Sequence, residues 1–241
     1  MKITILILSL LLALNISYAQ KKKSNNNGRK QKGVASWFFA SVGGRYGNSM
    51  MFNNNVSLTD DVNLSAANPS VGFDFSLGIN FPFGIGLLVG FDQSTFNQKY
   101  DVYSVEYNTT LKSTGTFILL RVVSENFSYF EIGPKFSRFS DTPAFTTKNM
   151  YNSNYTSMIF GVGGSIYWNQ NFDISIGARI SYGFNLMTNE SYPFGGEYNG
   201  PAFSTYEKTS AFDAQLRLAF NWHIGYFKEA GCDKHVEFLF F

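Results

Sequence analysis

Cysteine is all but absent from these 241 residues, and the lone Cys232 cannot form an internal disulfide. Histidine is almost as scarce, with only His223 and His235. Cys232 and His235 lie three apart, and two ligands do not close a zinc site. No metal or other cofactor is therefore expected. Charge is sparse too, at 15% of residues with a formal net of +2, too little to point to a nucleic-acid partner. Past the opening segment no apolar run approaches the roughly 18 residues that a membrane-crossing helix needs. Aromatic residues, by contrast, make up 18% of the chain, and glycine contributes 22 residues.

The first residues have the grammar of export. Met1-Lys2 is a short basic start, residues 3–14 are dominated by Ile and Leu, and Ser17-Tyr18-Ala19 puts small residues before a cut ahead of Gln20. Residues 1–19 read as a secretory signal peptide. No cysteine follows the cut, so a lipid anchor is excluded. Residues 20–33 form a basic linker with six Lys/Arg and no acid, facing either solvent or an anionic lipid surface. A single domain, 34–227, accounts for most of the rest, and residues 228–241 are a tail.

That domain alternates. In 172–186 one parity carries Phe172, Ile174, Ile176, Ala178, Ile180, Tyr182 and Phe184, and the other Asp173, Ser175, Gly177, Arg179, Ser181 and Gly183. A period of two over such a length is a β-strand whose faces meet different environments. An ordinary strand has about five or six residues, whereas one crossing a bilayer at a tilt needs about 9–11. The same alternation predicts strands over 36–47, 71–81, 85–96, 107–123, 127–138 and 155–168, with a last one ending near Phe227. The 107–123 segment is the least regular, because Phe117, Leu119 and Arg121 share one parity and the face of Arg121 stays open. Pro134 lacks a ladder donor and predicts a bulge.

Three connections are tight, at 82–84, 124–126 and 169–171. Four are long, at 48–70, 97–106, 140–154 and 187–206. The pattern predicts an eight-stranded antiparallel up-and-down transmembrane β-barrel with short periplasmic turns, long extracellular loops and both termini in the periplasm. Trp and Tyr favour membrane–water interfaces. Trp168 and Trp222 are expected to face outward at the periplasmic ends of their strands, with Trp37 at the same level. Tyr46, Tyr155 and Tyr182 are expected at the outer ends. Trp37 has the parity of Arg45, which calls for either a bulge or an inward ring.

A soluble ligand-binding barrel keeps its charges outside. Here they lie on the Gly/Ser-rich face, opposite a bulky Phe/Ile/Leu face, which favours a lipid exterior. Eight strands leave room inside for little more than side chains. The expected interior charge network comprises Arg45, Asp74, Asp92, Glu131, Lys135, Asp173, Arg179, Asp213 and Arg217. Charges buried together persist when paired.

The long alternating strands, Ala-Gln at the signal cut and Tyr129-Phe130-Glu131-Ile132-Gly133-Pro134-Lys135-Phe136 resemble the small outer-membrane barrels of Bacteroidota, the PorT-like group. The resemblance implies an exported barrel and, through PorT itself, a link to protein secretion and surface assembly. It transfers no functional residues.

Catalytic chemistry is sparse: no Ser/His/acid set emerges, His223 reads as an interior hydrogen-bonded group, and Gly161-Val162-Gly163-Gly164 sits in a strand with no helix after it. The chain is expected not to be an enzyme but an outer-membrane barrel with a structural, interaction or secretion-accessory role. The alternative is a narrow channel for small solutes. Its expected partners are outer-membrane lipid and a periplasmic or surface protein.

Overall fold

The computed structural model describes residues 36–53, 62–67, 69–81, 84–102, 105–124, 128–141, 154–168, 171–184, 209–230 and 235–240. The expected signal peptide, the basic linker and most of the long loops lie outside these residues. Among the described residues there is no helix. The strands are β1 (Ser36–Asn53), β2 (Val62–Ala67), β3 (Pro69–Asn80), β4 (Ile85–Val102), β5 (Val105–Val123), β6 (Ser128–Asp141), β7 (Asn154–Trp168), β8 (Phe172–Gly183), β9 (Thr209–Ala230) and β10 (His235–Phe240).

Eight of them close a ring in the order β1, β3, β4, β5, β6, β7, β8, β9, with β9 returning to β1 and every neighbour antiparallel. The wall is staggered. Paired residues lead from Phe38 through Ile79, Leu87, Leu120, Ile132, Phe160, Ile180 and Ala214 to Asn48, ten residues farther along β1 than the start. Such a stagger accompanies the tilt by which a sheet closes into a barrel. The faces follow parity around the ring. On β9, Leu216 is 60% exposed while Arg217 beside it is 1% exposed. Val42, Phe75, Val89, Leu120, Phe136, Phe160, Ile176 and Leu218 all point outward. An uncharged apolar belt outside a polar interior inverts the arrangement of a water-soluble protein, and its natural solvent is lipid.

The tight turn between β3 and β4 rests on Gly84, whose φ of 81° is open to glycine without strain. There the Phe81 N–H donates to the Ile85 carbonyl and the Gly84 N–H to that of Phe81. The β5–β6 turn closes with the Ser124 N–H donating to the Ser128 carbonyl, and the two hydroxyls are 2.6 Å apart.

The structure departs from the sequence expectations in five places. The segment 97–106 is no loop: β4 runs to Val102, β5 starts at Val105, and the two are paired throughout. Apolar alternation stops at Gln93, yet Thr, Asn, Gln and Tyr continue the ladder where the wall leaves lipid. Likewise β1 continues to Asn53, and β2, within the expected 48–70 loop, pairs with β4 outside the ring. Pro134 makes no bulge; the β5–β6 register is the same on both sides of it, and its shift lies between Lys112 and Ser113. The missing Pro134 N–H is absorbed without an extra residue. A bulge does occur between Ser165 and Tyr167 on β7, and another irregularity at Ser36–Phe38 where β1 meets β9. Finally, β9 extends to Ala230 and the tail folds back on it as β10, beyond the start of β8 and outside the ring.

Candidate functional site

Among the described residues, charged and polar side chains collect inside the closed wall. All nine charged residues assigned there by parity are buried within the barrel. Arg121, whose face parity left open, joins them.

The pairing is continuous. Lys135 Nζ donates to Asp92 Oδ2 at 2.6 Å, and Arg45 Nη2 donates to the same oxygen at 2.7 Å. Arg45 Nε lies 3.6 Å from Asp74 Oδ2. Asp74 takes a fork from Arg217, with Nε to Oδ2 at 2.9 Å and Nη2 to Oδ1 at 2.6 Å. Arg179 Nη1 stands 3.8 Å from Asp74 Oδ2, while its Nε donates to Glu131 Oε2 at 2.9 Å. Arg121 Nε donates to the other oxygen, Glu131 Oε1, at 2.9 Å. The path runs from Lys135 on β6 through strands β4, β1, β3, β9 and β8 back to β6 and β5. Forked guanidinium–carboxylate contacts are among the stronger polar contacts, and burial leaves them little screened.

Small residues make room for this reach. A side chain at Gly43 would strike the Arg217 guanidinium, and one at Gly115 would strike Asp92 and Lys135. Aromatic faces flank the cations: Arg121 lies 4.5 Å from the Tyr129 ring centre and 5.0 Å from that of Phe39, and Arg179 lies 5.1 Å from that of Phe117.

The pairing is less balanced than the sequence inventory implied. The connected path holds five cations, Arg45, Arg121, Lys135, Arg179 and Arg217, and three carboxylates, Asp74, Asp92 and Glu131. Asp213 and Asp173 stand apart at opposite ends. Asp213, nearer the long loops, accepts from the Ser49 hydroxyl at 2.6 Å, and Gln215 Nε2 donates to Ser49 and Ser70 at 3.0 Å each. Asp173, at the short-turn end, accepts from Asn221 at 2.7 Å and Ser165 at 3.0 Å, with His223 Nε2 at 2.8 Å.

Toward the long loops, apolar side chains share the lumen with Asp213 and its serines. Phe96, Leu111, Phe139, Tyr155 and Ala211 form a buried cluster there. Phe96 is four residues past Asp92 on β4, and Phe139 four past Lys135 on β6. Phe139 and Tyr155 lie 5.2 Å apart, and the Tyr155 hydroxyl is 2.8 Å from that of Ser113. A second apolar group, Phe39, Leu88, Phe117, Leu119 and Ile159, lines the wall beside the ion pairs.

Tyr155 is thus not an interface aromatic: it is 3% exposed and points inward, because its parity is that of Ser157 and Ile159. Trp168 is corrected as well. The β7 bulge places Tyr167 outward and sets Trp168, a half-buried residue, opposite the inward Asp173. Tyr46, Tyr182 and Trp222 do face outward. The side chain of Trp37 lies outside the described residues.

Parity reasoning missed the inward Phe39 and Leu88 and leaves Phe117 and Leu119 open with Arg121. Each of two large rings faces a directly paired glycine, Phe39 against Gly78 and Phe117 against Gly90, a large–small match that the sequence holds once register is known. Among the described residues no group of three or more His, Cys, Asp or Glu could hold a metal ion.

No family model matches the chain, and no curated protein matches it either. Solved structures do resemble it in form. The outer membrane protein OprG from Pseudomonas aeruginosa is 10% identical, covering 79% of this chain and 97% of its own, with a TM-score of 0.47. Outer membrane protein AlkL, in lipid bilayers, is 13% identical over 83% of this chain and 97% of its own, with a TM-score of 0.41. Neisserial surface protein A is 12% identical over 79% and 99%, with a TM-score of 0.37. No residue role is carried over from them.

Proposed function

We propose that this chain is an outer-membrane barrel with a plugged interior, working as a structural, interaction or secretion-accessory component and not as a conduit or an enzyme. The supporting observation is the unbroken ion-pair path from Lys135 to Arg121, which crosses the lumen at the level where the outer face is most apolar. Opening a water path there means separating buried charges, and each charge left alone is costly. The aromatic cluster toward the long loops adds a second, dry obstruction. A barrel closed twice has its working surface at its ends, where loops and extended strands meet a periplasmic or surface protein. The PorT-like resemblance of 129–136 favours secretion or surface assembly among these roles.

Single-channel recording tests this reading. Purified protein in planar bilayers is expected to show no steady conductance. Reproducible, ion-selective steps would put the narrow-channel reading in its place.

A further inference from the structure

At its Lys135 end the ion-pair path meets a notch lined by polar atoms that the protein leaves without partners. Gly115 on β5 pairs with Asp92 on β4 and with Ser137 on β6. The point where a Cβ on Gly115 would stand lies 2.7 Å from Asp92 Oδ1, 2.7 Å from Ser137 Oγ and 3.0 Å from Lys135 Cε. All three side chains are buried. Asp92 Oδ2 accepts from both Lys135 and Arg45, whereas Oδ1 accepts from no protein group. The Ser137 hydroxyl has no hydrogen-bond partner either. The two atoms thus flank one point without bonding each other. Lys135 Nζ carries three donors and gives one, to Asp92 Oδ2.

We infer that this notch binds a water molecule as a fixed part of the lumen's filling. The water donates to Asp92 Oδ1 and accepts from the Ser137 hydroxyl and from Lys135 Nζ. Buried waters make about three such bonds, to groups that the protein leaves unsatisfied. A buried carboxylate oxygen and hydroxyl without partners cost more than immobilising one water. The flanking charges select the ligand: Asp92 disfavours an anion, Lys135 a cation, and a neutral molecule with both donors and acceptors suits the two. Glycine serves here through what it lacks, since a side chain at 115 would take the space. Through this bridge the Ser137 hydroxyl joins the ion-pair path on β4 and β6. The assignment stands on the geometry of the lumen and not on the role proposed above.

The test is a crystal structure of the full-length protein at a resolution that shows ordered water, joined to one variant. A single density peak is expected within hydrogen-bond distance of Asp92 Oδ1, Ser137 Oγ and Lys135 Nζ. In crystals soaked in bromide that peak should carry no anomalous signal. Ser137→Ala removes one partner of the water and should raise the unfolding equilibrium constant roughly threefold or more. A dry notch predicts the opposite sign, because the variant would then delete a buried hydroxyl that bonds nothing. An ordered map without the peak would overturn the assignment, as would a Ser137→Ala variant at least as stable as wild type. An anomalous bromide peak at the notch would mark a halide site and overturn the assignment to water.

Discussion

The lumen is filled in two different ways. Its middle is held by eight linked charges, and its long-loop end by Phe96, Leu111, Phe139, Tyr155 and Ala211. Rings and methyls ask only for volume, so neighbours absorb a change of shape. Linked charges ask for each other: Asp74 alone answers to Arg45, Arg179 and Arg217. The two fillings of one lumen therefore differ in tolerance. The middle specifies one arrangement, and the end specifies only a dry, well-filled space.

The largest effect expected to expose that difference is Arg217→Met. It removes the fork on Asp74 and leaves a carboxylate short of charge in a buried site, at a cost of about 3–5 kcal/mol. Denaturant unfolding of the refolded barrel measures it. A cost below about 1 kcal/mol for the single variant would mean that the pairs hold no one in place.

Moving a cation to the other side of the wall sharpens the point. Ile176→Lys puts a charge on the apolar belt with no partner, and should cost about 2–4 kcal/mol near the bilayer midplane. Ile176→Ala in the same lipid should cost clearly less; equal costs would deny the belt its lipid contact.

The smallest change belongs to the apolar end. Leu111→Met keeps volume and should cost less than about 1.5 kcal/mol in the same unfolding assay. A loss matching that of Arg217→Met would erase the contrast between the two fillings.

Much of this is legible in the sequence. Parity alone separates Leu216 from Arg217 and Ile176 from Arg179, because a strand between two solvents must alternate. It could not say which charges meet. Lys135 reaches Asp92 across the lumen from another strand, and that depends on the stagger of the wall, which no single strand encodes. Parity also fails where the backbone slips, as at Ser165–Tyr167, which is why Trp168 changed sides. It says little where both faces are apolar, as around Ile118 and Leu119, one outward and one inward. The hairpin at 102–105 was hidden for a different reason. Once the wall leaves lipid, its residues turn polar while the ladder continues, and polarity by itself resembles a loop.

The β1–β9 seam has a consequence in time. It pairs Ser36 with Tyr226 and Asn53 with Thr209, joining the two ends of nearly the entire described chain. Every other ring contact joins strands that follow one another, apart from the excursion through β2. Hairpins can thus form early and locally, whereas the seam waits on the longest search in the molecule. Until it zips, β1 and β9 each present an open edge of unsatisfied amides, which neither lipid nor a crowded compartment tolerates. The seam is the step at which assembly becomes slow, and the one at which a helper protein would gain most by holding the two edges together.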